Sequence, residues 1–268
     1  MGKRIAVVTG ASSGMGREFL RRLDAAETLD EIWAVARHPE TLEALRPGLR
    51  AELRPLALDL TEAGSGRVYA GLLEEERPEV AVLVNAAGYG VFGAFGERDL
   101  ENQLGIIDLN DKALVRMTAL TLPYLSRGSR VYQMGTLSAF QPVPYINVYG
   151  ASKAFVLSFS RSLNVELKPR GIRVMAVCPG WVRTAFFDRA VSDDTIVYYN
   201  RWYTPEQVVD RALRDMAKGK DVSVCGLAIR LQVLTVKLLP HRLVMRIWCA
   251  QQKQPRAEKD AGKKKNSY

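Results

Sequence analysis

A tyrosine and a lysine four residues apart carry the chemistry that the sequence suggests first. Tyr149 and Lys153 lie in VYGASKAFVLSFSRSLNVEL, whose helical periodicity places both side chains on one helix face. A phenol titrates near pH ~10, and a cation ~4 Å away at an effective dielectric constant of ~20 contributes ~4 kcal/mol, roughly three pKa units. The spacing therefore predicts an acid–base pair in which Lys153 lowers the pKa of Tyr149.

A glycine-rich stretch near the N-terminus indicates a phosphate site. TGASSGMG, residues 9–16, follows the first apolar run, and glycines at 10, 14 and 16 permit a tight turn and a close approach of a pyrophosphate. A following helix would offer its free N-terminal amides to the phosphate. The position after the first strand of an alternating chain favours nucleotide binding over a purely structural turn.

Six short apolar runs form the elements that must position these residues. The spacing between successive runs leaves room for a helix, which is typical of βαβ units. Near-continuous apolar character indicates helices on both faces of the sheet. The predicted fold is α/β, a Rossmann-type doubly wound parallel sheet flanked by helices. The runs are RIAVVT, EIWAVA, ELRPLAL, VAVLV, RVYQM and IRVMAV.

Composition and charge exclude several classes of protein. The net charge of +9 is concentrated in residues 226–268, where ten Lys/Arg face two acidic residues, and no nucleic-acid-binding motif accompanies it. Three cysteines without a CxxC or Cys/His cluster suggest neither a disulfide framework nor a metal site. We expect a cytoplasmic protein, with peripheral membrane contact as an alternative. We expect a catalytic domain over 1–225, a helical extension over 226–253 and a disordered basic tail over 254–268.

Four motifs in register resemble the short-chain dehydrogenase/reductase family in its compact single-domain form. They are TGxxxGxG at 9–16, NAAG at 85–88, YxxxK at 149–153 and PGxxxT at 179–184. The resemblance implies that Tyr149 donates a proton to a substrate carbonyl during reduction, or removes it from an alcohol, while a hydride passes to or from a nicotinamide. It also implies that Lys153 holds the ribose hydroxyls.

The resemblance further assigns a hydroxyl and an asparagine. The family places a serine thirteen residues before its tyrosine, and here that position is Thr136. Ser138, two residues on at a strand end, points to the same side and is a second candidate. We favour Thr136, because threonine keeps the same donor and acceptor. Asn110, in IDLNDKALVRMTAL, matches the asparagine that supports a proton-relay water beside the lysine.

The end of the second strand narrows the choice of cofactor. An acidic residue there would bind the ribose 2′-hydroxyl of NAD, whereas Ala36 has no carboxylate and Arg37 can pair with a 2′-phosphate. NADP(H) is favoured over NAD(H). By resemblance Asp59 contacts the adenine, and Asn85 braces the cofactor and the central strand. The remaining cofactor-binding positions are Gly10, Ser12, Ser13, Gly14, Met15, Gly16, Leu60, Ala87, Gly88, Tyr149, Lys153, Pro179, Gly180, Val182 and Thr184.

The segment after the last motif is expected to bind substrate. Residues 185–203 are rich in aromatic side chains, which suits a hydrophobic substrate such as a sterol, an acyl chain or an aromatic ketone. Aromatic residues that simply pack on the body of the protein are the alternative. The aromatic residues are Phe186, Phe187, Tyr198, Tyr199, Trp202 and Tyr203.

Apolar helical segments interrupted at Pro240 follow residue 225. Basic residues break every window long enough to span a bilayer. One interpretation is a cap over the substrate cleft or a partner subunit; the other is an amphipathic surface helix whose basic tail, with lysines at 263–265, meets anionic lipid. We favour the cap and expect its large apolar side chains to be buried. They are Leu231, Leu234, Leu238, Leu239, Leu243, Ile247 and Trp248.

The sequence thus predicts an NADP(H)-dependent oxidoreductase that interconverts a ketone and a secondary alcohol on a hydrophobic, hydroxysteroid or lipid-like substrate. The alternatives are a 3-oxoacyl thioester reductase of the fatty-acid type and a redox-inactive nucleotide-binding regulator. A regulator should have lost Tyr149 or Lys153, and both are present. A homodimer or homotetramer is expected, without nucleic acid or metal.

Overall fold

A seven-stranded parallel sheet forms the centre of the computed structural model, which describes residues 2–253. The strands are β1 (Arg4–Thr9), β2 (Glu31–Ala36), β3 (Glu52–Ala57), β4 (Glu79–Asn85), β5 (Leu125–Met134), β6 (Arg173–Val177), β7 (Trp181–Val182), β8 (Trp202–Tyr203) and β9 (Val222–Ser223). Their order in the large sheet is β3-β2-β1-β4-β5-β6-β9, and β7 pairs with β8 separately. The order reverses between β1 and β4, which is where open α/β sheets bind ligands.

Ten α-helices surround the sheet within residues 2–253. They are α1 (Gly14–Ala26), α2 (Pro39–Glu43), α3 (Ala63–Glu76), α4 (Leu100–Ile107), α5 (Leu114–Thr121), α6 (Asn147–Leu167), α7 (Phe186–Ala190), α8 (Pro205–Ala217), α9 (Leu227–Leu238) and α10 (His241–Gln251). A π-helical turn, Asp108–Ala113, joins α4 to α5. Helices α1, α8 and α9 bury apolar side chains against one face of the sheet, and α3, α5 and α6 against the other. The predicted Rossmann-type fold is confirmed.

The central strands are apolar throughout because both faces are covered. In β1, Ile5 and Val7 belong to one apolar cluster, and Ala6 and Val8 belong to the cluster on the opposite face. All four side chains are fully buried. An amphipathic strand would expose polar residues on one face, so the unbroken apolar runs already required two covering layers.

The C-terminal helices bury different residues from those expected. Helix α9 buries Ile229, Val233 and Val236, which are spaced i, i+4 and i+7. The opposite face of α9 is exposed, so the expectation that its leucines are buried is wrong for Leu231 and Leu234, which are 65% and 58% exposed. The same correction applies to Leu238, Leu243 and Ile247. Of the other two, Trp248 and Leu239 are half-buried.

The predicted basic tail over 254–268 lies outside the described residues. Within residues 2–253, no helix is both long enough and apolar enough to cross a bilayer.

Candidate active site

The glycine-rich loop is held in a shape that only glycine permits. Gly10 has φ +65°, and a Cβ there would lie 2.8 Å from the backbone nitrogen of Ala87. A Cβ at Gly16 would lie 2.2 Å from the carbonyl oxygen of Gly10. The Thr9 hydroxyl accepts hydrogen bonds from the N–H groups of Ala86 and Ala87 at 3.0 and 3.1 Å. The loop is therefore bound to the end of β4, where the NAAG motif begins.

Helix α1 begins at this loop with free amides. Its N-cap residue, Ser13, makes no side-chain capping bond, and Ser12 precedes it half-buried. Uncapped amides at a helix N-terminus suit a phosphate. Together with the glycine backbone, these amides would suit the pyrophosphate of a dinucleotide.

The PGxxxT motif packs against the glycine-rich loop. A Cβ at Gly14 would lie 3.2 Å from the Thr184 methyl group, so the two motifs are in contact. The carbonyl oxygen of Pro179 accepts hydrogen bonds from the Leu137 N–H at 2.8 Å and from the Thr136 hydroxyl at 3.4 Å. Segments far apart in the chain therefore meet at the carboxyl edge of the sheet.

Tyr149 and Lys153 lie on α6 as predicted. The Lys153 ammonium lies 5.7 Å from the centre of the Tyr149 ring and donates a hydrogen bond to the carbonyl oxygen of Met134 at 2.8 Å. Burial lowers the pKa of Lys153 to about 8, although the nearby Asp111 carboxylate opposes that change. Lys153 is 5% exposed. It is a buried cation beside a phenol.

The predicted lowering of the phenol's pKa is not found. Burial raises the pKa of Tyr149 above its usual value, and a hydrogen bond with the Thr136 side chain opposes that change only in part. The physical reason is that burial disfavours the charged phenolate, whereas the prediction from the sequence considered only the attraction between Lys153 and Tyr149. The phenol is protonated at neutral pH, as a proton donor must be.

The two candidate hydroxyls are both near the phenol but in different surroundings. The Thr136 side chain lies close enough to Tyr149 to lower its pKa, and its hydroxyl donates to the carbonyl oxygen of Pro179 at 3.4 Å. The Ser138 hydroxyl is buried and has no hydrogen-bond partner among residues 2–253. Both residues line the same cavity. The geometry favours Thr136, and the catalytic assignment stays a prediction.

Asn110 ties the NAAG motif to α6. It is fully buried in the π-helical turn, and its amide donates to the carbonyl oxygen of Tyr89 at 3.0 Å and to the Ser152 hydroxyl at 3.1 Å. A Cβ at Gly88 would lie 2.7 Å from the Asn110 side-chain oxygen and 3.4 Å from the Lys153 nitrogen. Single π-helical turns are frequent at functional sites. The sequence showed the asparagine but not the turn that aims it.

A buried amide network braces the central strands. Asn85 donates to the Thr118 hydroxyl at 3.0 Å and to the side-chain oxygen of Gln133 at 2.9 Å. Gln133 is fully buried and was missed by the sequence analysis, although a glutamine within the apolar run RVYQM was a signal for it. The network joins β4, β5 and α5 beneath the site.

Arg37 is exposed directly after β2, as the cofactor prediction required. Within the described part of the chain, its side chain makes no hydrogen bond or ion pair. Burial raises the pKa of Asp59, but hydrogen bonds from Thr61 and the charge of Arg37 outweigh it, so that this pKa lies below its usual value. Leu60 is buried beside Asp59. An unpaired guanidinium at this edge suits a 2′-phosphate.

A cavity of about 530 Å³ extends from Tyr149 to the C-terminal helices. No side chain that lines it within residues 2–253 is charged. Of the predicted cofactor-binding residues, Met15, Pro179, Gly180, Val182 and Thr184 lie along it. Its other walls come mainly from aromatic, aliphatic and amide side chains, which include Phe92, Val143, Ile146, Trp181, Phe186, Phe187, Tyr198, Gln232, Val236, Val244 and Trp248.

The predicted aromatic segment divides between the two expected roles. Phe186, Phe187 and Tyr198 line the cavity, and the ring centres of Phe186 and Tyr149 are 5.4 Å apart. Trp202 instead stacks on Tyr199, with ring centres 5.2 Å apart. Phe92, which the sequence analysis missed, packs against the rings of Tyr149, Phe186 and Phe187.

Helix α10 is anchored across the cavity by two hydrogen-bonding side chains. The Trp248 indole donates to the carbonyl oxygen of Pro144 at 3.0 Å. The side-chain oxygen of Gln252, which is 1% exposed, accepts from the N–H groups of Val197 and Tyr198, each at 2.9 Å. The C-terminal helices therefore form one wall of the cavity and fix the aromatic segment.

The chain is similar in sequence and structure to known oxidoreductases. The sequence matches the family described as short chain dehydrogenase over residues 4–195. It is 33% identical to a sulfoacetaldehyde reductase of Chromohalobacter salexigens, over 70% of this chain and 79% of that protein. It is 32% identical to an NADP-dependent 3-hydroxy acid dehydrogenase of Salmonella typhi, over 66% and 72% respectively. A Sphingobium yanoikuyae short-chain dehydrogenase, solved with NADPH, is 30% identical with a TM-score of 0.74, covering 87% of this chain and 92% of that one.

Proposed function

The chain belongs to the short-chain dehydrogenase/reductase family, and from that premise we propose that it interconverts a neutral, hydrophobic ketone and its secondary alcohol with NADP(H). The coarser activity is established by the family: the protein is a nicotinamide-dependent oxidoreductase that acts on alcohol and carbonyl groups. The proposal concerns the class of substrate and the choice of cofactor.

The uncharged cavity is the observation that carries the proposal. Sulfoacetaldehyde and 3-hydroxy acids, named for the two relatives, are anions at neutral pH. Burying an anion without a cation or a matching set of donors is strongly unfavourable. The cavity beside Tyr149 has no charged lining residue within residues 2–253 and is walled largely by apolar side chains. The substrate that binds in this cavity should therefore be neutral and apolar, unlike the substrates of those relatives.

The residues of the site can perform the proton transfer. A bound nicotinamide would supply or accept the hydride. The protonated phenol of Tyr149 would donate its proton to the substrate oxygen, and the hydroxyl of Thr136, which lines the same cavity, would help to orient that oxygen. The buried ammonium of Lys153 would stabilise the phenolate that results. Apolar walls would exclude water from the transfer.

The cofactor preference rests on the end of β2. Ala36 offers no carboxylate to a ribose hydroxyl, and the exposed Arg37 forms no hydrogen bond or ion pair within residues 2–253. A guanidinium can bind a phosphate through two hydrogen bonds. NADP(H) is therefore proposed over NAD(H).

A paired substrate panel tests the proposed function. NADPH oxidation would be followed with neutral apolar ketones, such as a steroid ketone or a long-chain alkanone, and with sulfoacetaldehyde and 3-oxo acids. We expect kcat/KM to favour the neutral ketones by at least ~10-fold, or about 1.4 kcal/mol. The Tyr149→Phe variant, which should bind NADPH without turnover, controls for other reductases. A preference for the anions would overturn the proposal.

The same panel separates the remaining alternative. A carrier-bound or coenzyme-bound 3-oxoacyl thioester that outcompetes every simple ketone would identify a fatty-acid type reductase. The homodimer or homotetramer expected from the sequence stays a prediction, and gel filtration with light scattering would test it.

A further inference from the structure

One face of α9 is apolar and exposed along its whole length. Four leucines, spaced i, i+4, i+7 and i+11, fall on that face; Leu227, Leu231, Leu234 and Leu238 are 81%, 65%, 58% and 85% exposed. Scattered exposed leucines are ordinary, but an aligned row on one helix forms a contiguous patch. These four residues are called the leucine face below.

Positive charge accompanies the leucine face along the chain, with Arg230 and Lys237 on α9 itself and further cations on and after α10. Residues 222–253 contain five Lys/Arg and no Asp or Glu. Within residues 2–253, no carboxylate forms an ion pair with any of the five. They are Arg230, Lys237, Arg242, Arg246 and Lys253. Further along the sequence, the lysines at 263–265 add to the same charge.

The leucine face is continuous with the mouth of the cavity. Leu231 lines the cavity and is also exposed on the surface, and Ile247 of α10 does the same with 44% exposure. The next residues inward, including Val236 and Val244, are buried cavity walls. An apolar path therefore runs from the exposed face of α9 towards Tyr149.

We propose that the leucine face docks on the surface of an anionic lipid bilayer, and that the apolar substrate enters the cavity from that bilayer. Apolar side chains in the interface with cations around them are the two features that bind a helix to such a surface. The entry route rests on the proposed function, because it requires an apolar substrate; the docking itself does not.

A second copy of the chain fits the same face less well. Pairing two leucine faces would bring Arg230 and Lys237 of both copies together around an apolar contact. Residues 222–253 supply no carboxylate to neutralise them. Like charges at such a contact are repulsive, whereas anionic lipid headgroups complement them.

Vesicle co-sedimentation of the full chain tests the docking. Vesicles of phosphatidylcholine alone would be compared with vesicles containing equal amounts of phosphatidylcholine and phosphatidylglycerol. We expect binding to the anionic vesicles that weakens in high salt. The double variant Leu227→Ser, Leu238→Ser should bind at least ~10-fold more weakly, because its two most exposed leucines no longer enter the interface. Neither residue lines the cavity.

A matched variant separates this face from general surface hydrophobicity. Val68 on α3 and Val165 on α6 are 53% and 71% exposed, so the double variant Val68→Ser, Val165→Ser removes apolar surface elsewhere. It should bind vesicles as the unchanged chain does. Absence of binding to anionic vesicles, or equal losses in the two double variants, would overturn the proposal. Self-association that the leucine variant abolishes, without vesicle binding, would assign the face to a second copy.

Turnover distinguishes docking from the entry route. The leucine variant should reduce a water-soluble ketone at the unchanged rate but a vesicle-dissolved ketone several-fold more slowly. Equal rates on the vesicle-dissolved ketone would refute entry from the bilayer. If the unchanged chain binds vesicles but reduces no apolar ketone, the proposed function fails while the docking stands.

Discussion

The ammonium of Lys153 donates a hydrogen bond to the carbonyl oxygen of Met134 at 2.8 Å, and so joins α6 to the carboxyl end of β5. The bond is made by a cation that burial disfavours, since the pKa of Lys153 falls from 10.5 to about 8. A group kept charged at the expense of stability is typical of functional sites.

The buried charge of Lys153 should lower the free energy of unfolding at neutral pH. In the unfolded chain Lys153 binds its proton up to about pH 10.5, but in the folded chain only up to about pH 8, so its contribution to stability rises with pH between these values. Lys153→Met should therefore gain most in stability relative to the unchanged protein below pH 8, and the gain should shrink towards pH 10.5. Urea unfolding across this range measures it. A pH-independent difference would contradict the assignment.

Asp111 should tune the same lysine. Burial raises the pKa of Asp111 to about 6, so it is mostly ionised at neutral pH, and its charge raises the pKa of Lys153. Asp111→Asn should lower the pKa of Lys153 further and move the alkaline limb of the kcat–pH profile to lower pH. Asp108→Asn is the matched control, because Asp108 pairs with Lys112 at 2.7 Å instead. Identical profiles for the two variants would rule out this role.

The two candidate hydroxyls predict different losses. Thr136→Ala removes a hydroxyl that lowers the pKa of Tyr149 and should lower kcat by roughly 10- to 100-fold, as expected for a group that assists proton transfer. Ser138→Ala removes a hydroxyl without a partner in residues 2–253 and should have a much smaller effect. Steady-state kinetics with one ketone decides the ranking. The reverse order would transfer the role to Ser138.

Arg37→Ala should separate the two nicotinamide cofactors. Loss of a charge-assisted contact to the 2′-phosphate should raise KM for NADPH by ~10-fold or more and leave KM for NADH nearly unchanged. Arg127→Ala, which changes an exposed arginine near the amino end of β5, serves as a control for a general change in surface charge. Equal effects on both cofactors would argue against recognition of the phosphate by Arg37.

Truncation tests the C-terminal helices. A chain ending at Gly226 loses the buried Ile229, Val233, Val236 and Val244 as well as one wall of the cavity. Since burying each such side chain contributes ~1.5–3 kcal/mol and a domain is stable by only ~5–15 kcal/mol, that product should be unstable or inactive. A chain ending at position 254 should keep its melting temperature and its turnover of a soluble ketone. A stable, active shorter product would show that α9 and α10 are dispensable.

Much of the fold could be predicted because the strands can be recognised in the sequence as unbroken apolar runs. The order of the four motifs then placed Tyr149, Lys153 and the glycine loop at one edge of the sheet. Side-chain burial on α9 could not be predicted from hydrophobicity, because both faces of that helix are apolar: one carries Ile229, Val233 and Val236, and the other carries the leucines. Only the packing of α9 on the sheet selects which face is buried.

The remaining differences arise from tertiary contacts that no local pattern encodes. The pKa of Tyr149 depends on its burial, and the rings of Phe92 and Phe186, which are distant in sequence, pack against it. Nothing in the sequence around Gln252 distinguishes it from the other polar residues before the basic tail. Its role depends on two backbone N–H groups more than fifty residues earlier.

The side chain of Gln252 couples the aromatic segment, residues 185–203, to α10. The N–H groups of Val197 and Tyr198 are both satisfied by the oxygen of Gln252, so neither amide can be released to solvent while α10 stays in place. Detachment of the helix would leave two backbone donors unpaired at once. We therefore expect the aromatic segment and α10 to unfold locally as one cooperative unit, and deuterium uptake at those two amides would measure how often they separate.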